Sequence, residues 1–189
     1  TLTDFKYLRK VWKDNTEEER LLGVSLTGII DCPILRPNHH ELESVLEQLR
    51  TVAVETNKKV AKDLGIPQST AITCVKPSGT VSQLVDSASG IHARHNPYYI
   101  RTVRGDNKDP LTQFMQQVGI PIEPDMSKSD SVSVFSFPMK SPEGAITRTE
   151  MTAIEQLEYW LVFQRHWCEH KPSVTISVKD HEWMSVGAW

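Results

Sequence analysis

AITCVKPSGTVS, residues Ala71–Ser82, is the stretch on which the fold turns. An apolar, largely β-branched run, Ala71 to Val75, stops at Lys76-Pro77. Three small residues follow, Ser78, Gly79 and Thr80, and then a segment that suits a helix, Val81 to Val85. A strand that ends in a small-residue loop at a helix start presents unpaired backbone N–H groups to an anion. Glycine leaves the backbone approachable, and serine and threonine hydroxyls add donors. Helix-dipole attraction for an anion is only about 0.3–1 kcal/mol, or ~2 when partly buried, so direct hydrogen bonds must carry most of the binding. The same residues also suit an ordinary strand–turn–helix junction with a serine N-cap, and spacing alone leaves both readings open. Neither GxxxxGK[ST] nor a GxGxxG after a strand occurs, which removes the two common nucleotide-loop fingerprints.

Upstream, LLGVSLTGII (Leu21–Ile30) is a continuous apolar run that reads as a strand buried on both faces, as in α/β proteins. Asp31-Cys32-Pro33 and Pro37 interrupt it. Asn38 and Glu41 stand at capping-box spacing before a long amphipathic helix through Leu42, Leu46, Leu49, Ala53, Val60 and Leu64, with Gly65 and Pro67 as the stop. Downstream, Tyr98–Val103 predicts a strand. Asp109-Pro110 opens a short helix that Gly119 ends, Pro121–Ser131 is the most loop-like stretch, and Val132–Phe137 predicts a strand closed by Pro138. Thr147 and Glu150 form a second capping-box pattern, ahead of a helix from Arg148 to about His170. Val174, Ile176 and Val178 alternate as a half-buried strand. Strands alternating with substantial helices predict an α/β architecture, read here as one unit over residues 1–189.

The chain has 189 residues, 39% hydrophobic and 24% charged, with a net charge of −3. That balance argues against a dedicated nucleic-acid binder. No apolar run approaches membrane-spanning length, so no membrane partner is expected. Three widely spaced cysteines, Cys32, Cys74 and Cys168, make neither a disulfide framework nor a zinc set and suit a reducing, cytoplasmic compartment. The terminal VGAW reads as a truncation rather than a polar tail.

GIHARHNPYYIRTVR (Gly90–Arg104) gathers His92, Arg94, His95, Arg101 and Arg104 near the loop in sequence, with Tyr98-Tyr99 able to stack. Cations and aromatics together suit phosphate or nucleotide recognition, although Arg101 and Arg104 also fit a solvated strand face. HWCEH places His166 and His170 on one helix face, but Glu169 does not fit the HExxH arrangement and Cys168 points elsewhere, so no metal site is expected. Cys74 reads as a buried, inert strand cysteine; a thiol enzyme built on it is the weakest alternative.

VKPSGTVSQL, then GIHARHNPYYIRTVR, with GVSLTGI upstream and CEHKPSVTISV downstream, resembles the adenosylcobalamin-dependent (class II) ribonucleotide reductases of the ribonucleoside-triphosphate type. The resemblance runs over nearly the whole chain in the family's order. It implies the C-terminal portion of a ten-stranded α/β barrel, completed by the N-terminal half as a partner. It implies that Ser78, Gly79, Thr80, Val81 and Ser82 bind the phosphates of a ribonucleoside di- or triphosphate, and that His92, Arg94 and His95 lie toward the active-site side. For the parent enzyme it further implies adenosylcobalamin, thiyl-radical reduction of the ribose and a thioredoxin-like reductant.

The family's radical cysteine stands in an N-P-C-x-E motif, and here Cys32 follows Asp31, Cys74 follows Thr73 and Cys168 follows Trp167. No catalytic residue, metal ligand or cofactor contact is therefore expected in this chain, which by itself should be inactive. The alternative is a stand-alone phosphate- or nucleotide-binding module, or one subunit of a split enzyme. An isolated half-barrel would leave strand edges uncovered and should associate.

Overall fold

The structure, a computed structural model, describes residues 4–189. Two compact units emerge, one from the residues up to Arg94 together with Arg148–Trp189, the other from His95–Thr147.

In the first unit, helix α1 (Lys10–Glu19) leads to strand β1 (Val24–Ser25), which pairs in parallel with β2 (Thr73–Cys74). Hydrogen bonds from Leu22 N–H to the Ala71 carbonyl and from Leu26 N–H to Cys74 extend the contact at 3.1 and 3.4 Å. β2 is flanked on its other side too, where Glu169 N–H donates to Thr73 and Ser173 N–H to Val75, both at 3.0 Å. Having neighbours on both edges buries the whole run from Ala71 to Val75.

The apolar run Leu21–Ile30 departs from its expected form. Leu21, Leu22 and Val24 are exposed, and only Ile29 and Ile30 are buried. Gly28, at φ 67°, turns the chain out of the extended conformation into a 3₁₀ turn over Ile29–Asp31, and it is that turn which enters the core.

Helix α2 (Leu42–Leu64) ends as expected, with Gly65 in the left-handed region and its N–H returned to Ala61 and Lys62. It does not start at the Asn38–Glu41 pattern. Asn38 itself takes φ 63°, and Glu41 provides no side-chain cap. Helix α3 is a single turn, Val81–Leu84.

Helix α5 (Ala153–His166) starts later than Thr147–Glu150 suggests, because the working capping box is Thr152 with Glu155. Thr152 N–H meets Glu155 Oε2 at 2.7 Å, and Glu155 N–H meets Thr152 Oγ1 at 3.2 Å. Val174–Val178 is not a ladder strand. Side chains take its N–H groups instead: His92 Nε2 accepts from Thr175 at 2.9 Å and Gln156 Oε1 from Ser177 at 3.2 Å. The core holds Ile29, Leu46, Val75, Phe163 and Trp167, with α2 packed on α5, and helix α6 (Trp183–Ala188) follows.

The second unit is an antiparallel sheet in the order β3 (Tyr98–Asp106), β5 (Val132–Lys140), β4 (Ile122–Pro124), with helix α4 (Pro110–Gln117) between β3 and β4 in sequence. Asp109 caps α4 by accepting Leu111 N–H at 2.8 Å, as its Asp-Pro start predicts, and Gly119 ends it at φ 79°. Pro138 does not close β5; it pairs opposite Ile100. Ser136 N–H points toward the β4 side, to the Pro121 carbonyl, and two residues on an amide would face the same way beyond the end of β4. No donor is needed there, so proline is tolerated. The loop-like Pro121–Ser131 contains β4 and then a turn built on Asp125. That carboxylate accepts Arg104 Nε at 2.6 Å, Ser127 N–H at 2.9 Å, the Ser127 hydroxyl at 2.7 Å and Lys128 N–H at 3.1 Å.

Candidate functional site

The loop after β2 is held from beneath by a cluster of hydroxyls. Ser78 Oγ lies 2.6 Å from Thr27 Oγ1 and 3.3 Å from Ser89 Oγ, and it accepts Gly90 N–H at 2.8 Å. Thr27 Oγ1 shares that N–H at 3.0 Å and reaches the Ala88 carbonyl at 3.3 Å. Ser82 is fully buried; its N–H donates to the Ser78 carbonyl at 3.0 Å, and its hydroxyl donates to the same oxygen. Both serines are therefore occupied in shaping the loop.

Gly79, Thr80 and Val81 face solvent. A Cβ added at Gly79 would meet nothing within 4 Å. Among the described residues, neither the Thr80 nor the Val81 N–H has a backbone acceptor. A one-turn α3 supplies little macrodipole, so the loop's capacity for an anion rests on these individual donors and the Thr80 hydroxyl. The five residues singled out in the sequence thus divide into an inward-tied frame, half-buried Ser78 and buried Ser82, and an exposed tip, Gly79–Val81.

The cations of Gly90–Arg104 divide between the two units, His92 and Arg94 in the first and His95, Arg101 and Arg104 in the second. Arg94 is buried, its side chain 5% exposed, with Nη2 at 2.9 Å from Asp31 Oδ2 and Nη1 at 3.1 Å from Asp86 Oδ1. Burial works against the charged guanidinium, but the hydrogen bonds and charges of Asp31 and Asp86 outweigh it and hold its proton more tightly than usual. His92 uses both ring nitrogens. A backbone N–H only donates, so Nε2 accepts from Thr175, and Nδ1 carries the hydrogen given to the Ser89 carbonyl at 2.8 Å. His95 belongs to the second unit, where it is exposed and meets the Tyr99 ring edge-on at 5.5 Å. Arg104 pairs with Asp125 there, and the ammonium of Lys140 lies 5.8 Å above the Tyr98 ring.

The remaining sequence candidates are structural. His166 pairs with Glu47 at 2.8 Å and Glu43 at 3.7 Å, joining α5 to α2. Burial raises the Cys74 thiol and pushes Cys168 up to about 12, the reverse of what a nucleophile needs. Sequence reasoning missed Thr27, Asp31, Asp86 and Glu169. The signal for the first two was available: a threonine and an aspartate bracket Gly28 at the end of an apolar run, where polar side chains need partners.

Comparison with known proteins gives this geometry a context. The fold superposes on the crystal structure of a B12-dependent (class II) ribonucleotide reductase with a TM-score of 0.75 at 23% identity, covering 95% of this chain and 29% of that one. The architecture is therefore that of part of a ribonucleotide reductase. In sequence the chain is similar to one stretch of the adenosylcobalamin-dependent ribonucleoside-triphosphate reductases. It is 30% identical to the enzyme of Euglena gracilis over 169 residues, 88% of this chain and 23% of that protein. With the Lactobacillus delbrueckii subsp. bulgaricus enzyme it shares 28% over 202 residues, 92% of this chain and 27% of that protein. The probable reductase of Dictyostelium discoideum is 30% identical over 169 residues, 88% of this chain and 22% of that protein. No family model matches the chain. The chain spans about a quarter of the length of these curated relatives.

Proposed function

We propose that this chain serves as one stretch of the catalytic barrel of an adenosylcobalamin-dependent ribonucleotide reductase, and that its Pro77–Ser82 loop receives the substrate's phosphates. The observation that carries the site is the division of labour in the loop. Ser78 and Ser82 are tied inward, and at the exposed tip the Thr80 and Val81 N–H groups and the Thr80 hydroxyl are the donors left to offer. Three or more direct hydrogen bonds to a phosphate would contribute more than the short helix behind them, since bonds to a charged group are worth about 1.5–3 kcal/mol each.

The whole protein would convert ribonucleoside triphosphates, with a thioredoxin-like reductant, in the cytoplasm. No described helix is long and apolar enough to cross a membrane. Adenosylcobalamin would supply the radical. Among the described residues no cluster of three histidines, cysteines or carboxylates could hold a metal ion, and no reaction step is assigned to this chain's own side chains. The test is titration of the full-length protein with a ribonucleoside triphosphate. Thr80→Val, which keeps the shape and removes the hydroxyl, should weaken binding about tenfold, as should Gly79→Val, which covers the donors. Unchanged affinity in both variants overturns the phosphate role.

A further inference from the structure

Arg94 is buried, and its partners lie on the two turns that support the phosphate loop. One is the 3₁₀ turn Ile29–Asp31; the other follows α3, from Asp86 to Gly90. The guanidinium spans both. Nε and Nη2 meet Asp31 Oδ1 and Oδ2 at 3.3 and 2.9 Å, while Nη1 and Nη2 meet Asp86 Oδ1 and the Asp86 carbonyl at 3.1 and 2.6 Å. Asp31 Oδ2 then accepts Ala88 N–H at 2.7 Å. Two residues on, Gly90 N–H donates to Ser78 Oγ at 2.8 Å.

The Asp86–Gly90 turn contains two left-handed residues, Asp86 at φ 46° and Gly90 at φ 54°, a conformation that local sequence alone does not favour in a non-glycine residue. Gly90 also packs tightly, since a Cβ there would come 3.2 Å from the Lys76 carbonyl. Only a planar fork with several donors serves two carboxylates and a carbonyl at once, a task a lysine ammonium meets poorly.

We propose that Arg94 is a positioning residue for the phosphate loop. It fixes the Asp86–Gly90 turn, Gly90 fixes Ser78, and Ser78 presents Gly79–Val81, with Arg94 itself never touching the ligand. The inference rests on the phosphate reading above, and the experiment separates the two. In the full-length protein, the affinity and KM for a ribonucleoside triphosphate are measured for Arg94→Lys and Asp86→Asn, each alone and combined with Thr80→Val. Asp86 is 68% exposed and asparagine tolerates its backbone conformation, so Asp86→Asn carries the test if Arg94→Lys does not fold.

Arg94→Lys should raise KM about tenfold and Asp86→Asn about threefold, with kcat at saturation within about twofold of the parent. Thr80→Val should lose most of its effect in either background, because the tip is already misplaced. Full additivity with Thr80→Val overturns the positioning role while leaving the phosphate site intact. Tighter binding by Asp86→Asn overturns it as well, since freeing a guanidinium N–H would then help a direct contact. No effect of Thr80→Val or Gly79→Val in the parent removes the phosphate site, and the positioning role falls with it.

Discussion

The Glu169 carboxylate reaches a strand 97 residues away in sequence, where Oε2 accepts Ile72 N–H at 2.7 Å. The same oxygen takes Thr73 N–H at 2.9 Å and the Thr73 hydroxyl at 3.2 Å, so one side chain satisfies the N–H groups of two consecutive residues at the start of β2. Burial disfavours this carboxylate, but the hydrogen bonds from Thr73 and Ile72 outweigh it and hold it below the ordinary glutamate range. Glu169→Ala should therefore destabilise the fold by about 2–4 kcal/mol, because buried donors are left unmet. The sign of the pH dependence follows. Since the folded value is depressed, the stabilisation is complete above the unfolded value of about 4.3 and is lost as pH falls through the folded one. Urea unfolding of the parent and the variant from pH 7 downward measures both. Curves that stay parallel, offset by less than 1 kcal/mol, would contradict this account.

Gly105 is the point at which α4 touches its sheet. A Cβ at this position would run into Thr112 Oγ1 and come 3.2 Å from the Phe135 ring. Thr112 and Phe135 are both buried, so neither has room to move aside. Gly105→Ala should cost about 1–3 kcal/mol by overpacking. Adding Thr112→Ala removes the hydroxyl that obstructs, so the double variant should recover part of the loss. Thermal unfolding of the two singles and the double reads out this coupling.

Asp125 makes the opposite kind of prediction, one about charge. Its carboxylate is 6% exposed beside Arg104. The Arg104 guanidinium first, then the hydroxyl and N–H of Ser127, hold it far below the usual aspartate range. Such a group stabilises the turn fully above the unfolded value of about 3.9 and loses that contribution only as pH falls through its own lower value. Carboxyl-carbon NMR titration should show Asp125 still ionised when exposed aspartates have protonated. Asp125→Asn should remove its part of the acid-dependent stability, and Arg104→Met should bring its titration up toward the ordinary range.

The sequence carried the parts of the fold that local chemistry decides. Asp109-Pro110 starts a helix because one side chain caps Leu111 and the proline has no N–H to lose, and Gly65 and Gly119 stop theirs by taking positive φ. What long-range pairing decides was not legible. The run Leu21–Ile30 has the composition of a buried strand, but Gly28 breaks it and only its end enters the core. Thr147–Glu150 and Thr152–Glu155 are equally good capping boxes on paper, and the helix starts at the second. The loop's position was read correctly from Ala71–Ser82. That Ser78 and Ser82 face inward, and that Arg94 binds two aspartates, depends on residues as distant as Thr27 and Asp31.

The three cysteines supply a last test, because burial divides them. Cys32 is exposed, whereas Cys74 and Cys168 are buried. Thiolates react and thiols do not. With Cys168 pushed up to about 12, its thiolate fraction near neutral pH is orders of magnitude below that of an ordinary cysteine at about 8.5. Cys74 is raised in the same direction by burial, partly offset by Lys76 and Ser25. Alkylation of the native protein, mapped by peptide mass, should label Cys32 within minutes and spare the other two until denaturant is added. The raised values also fix the alkaline limb. Stability from keeping Cys168 neutral is complete below about 8.5 and is lost as pH rises toward the folded value, so unfolding should expose both buried thiols together above that point. Labelling of Cys74 in the native state at a rate comparable to Cys32 would show a reactive thiol beneath the loop and would revive a nucleophilic role for it.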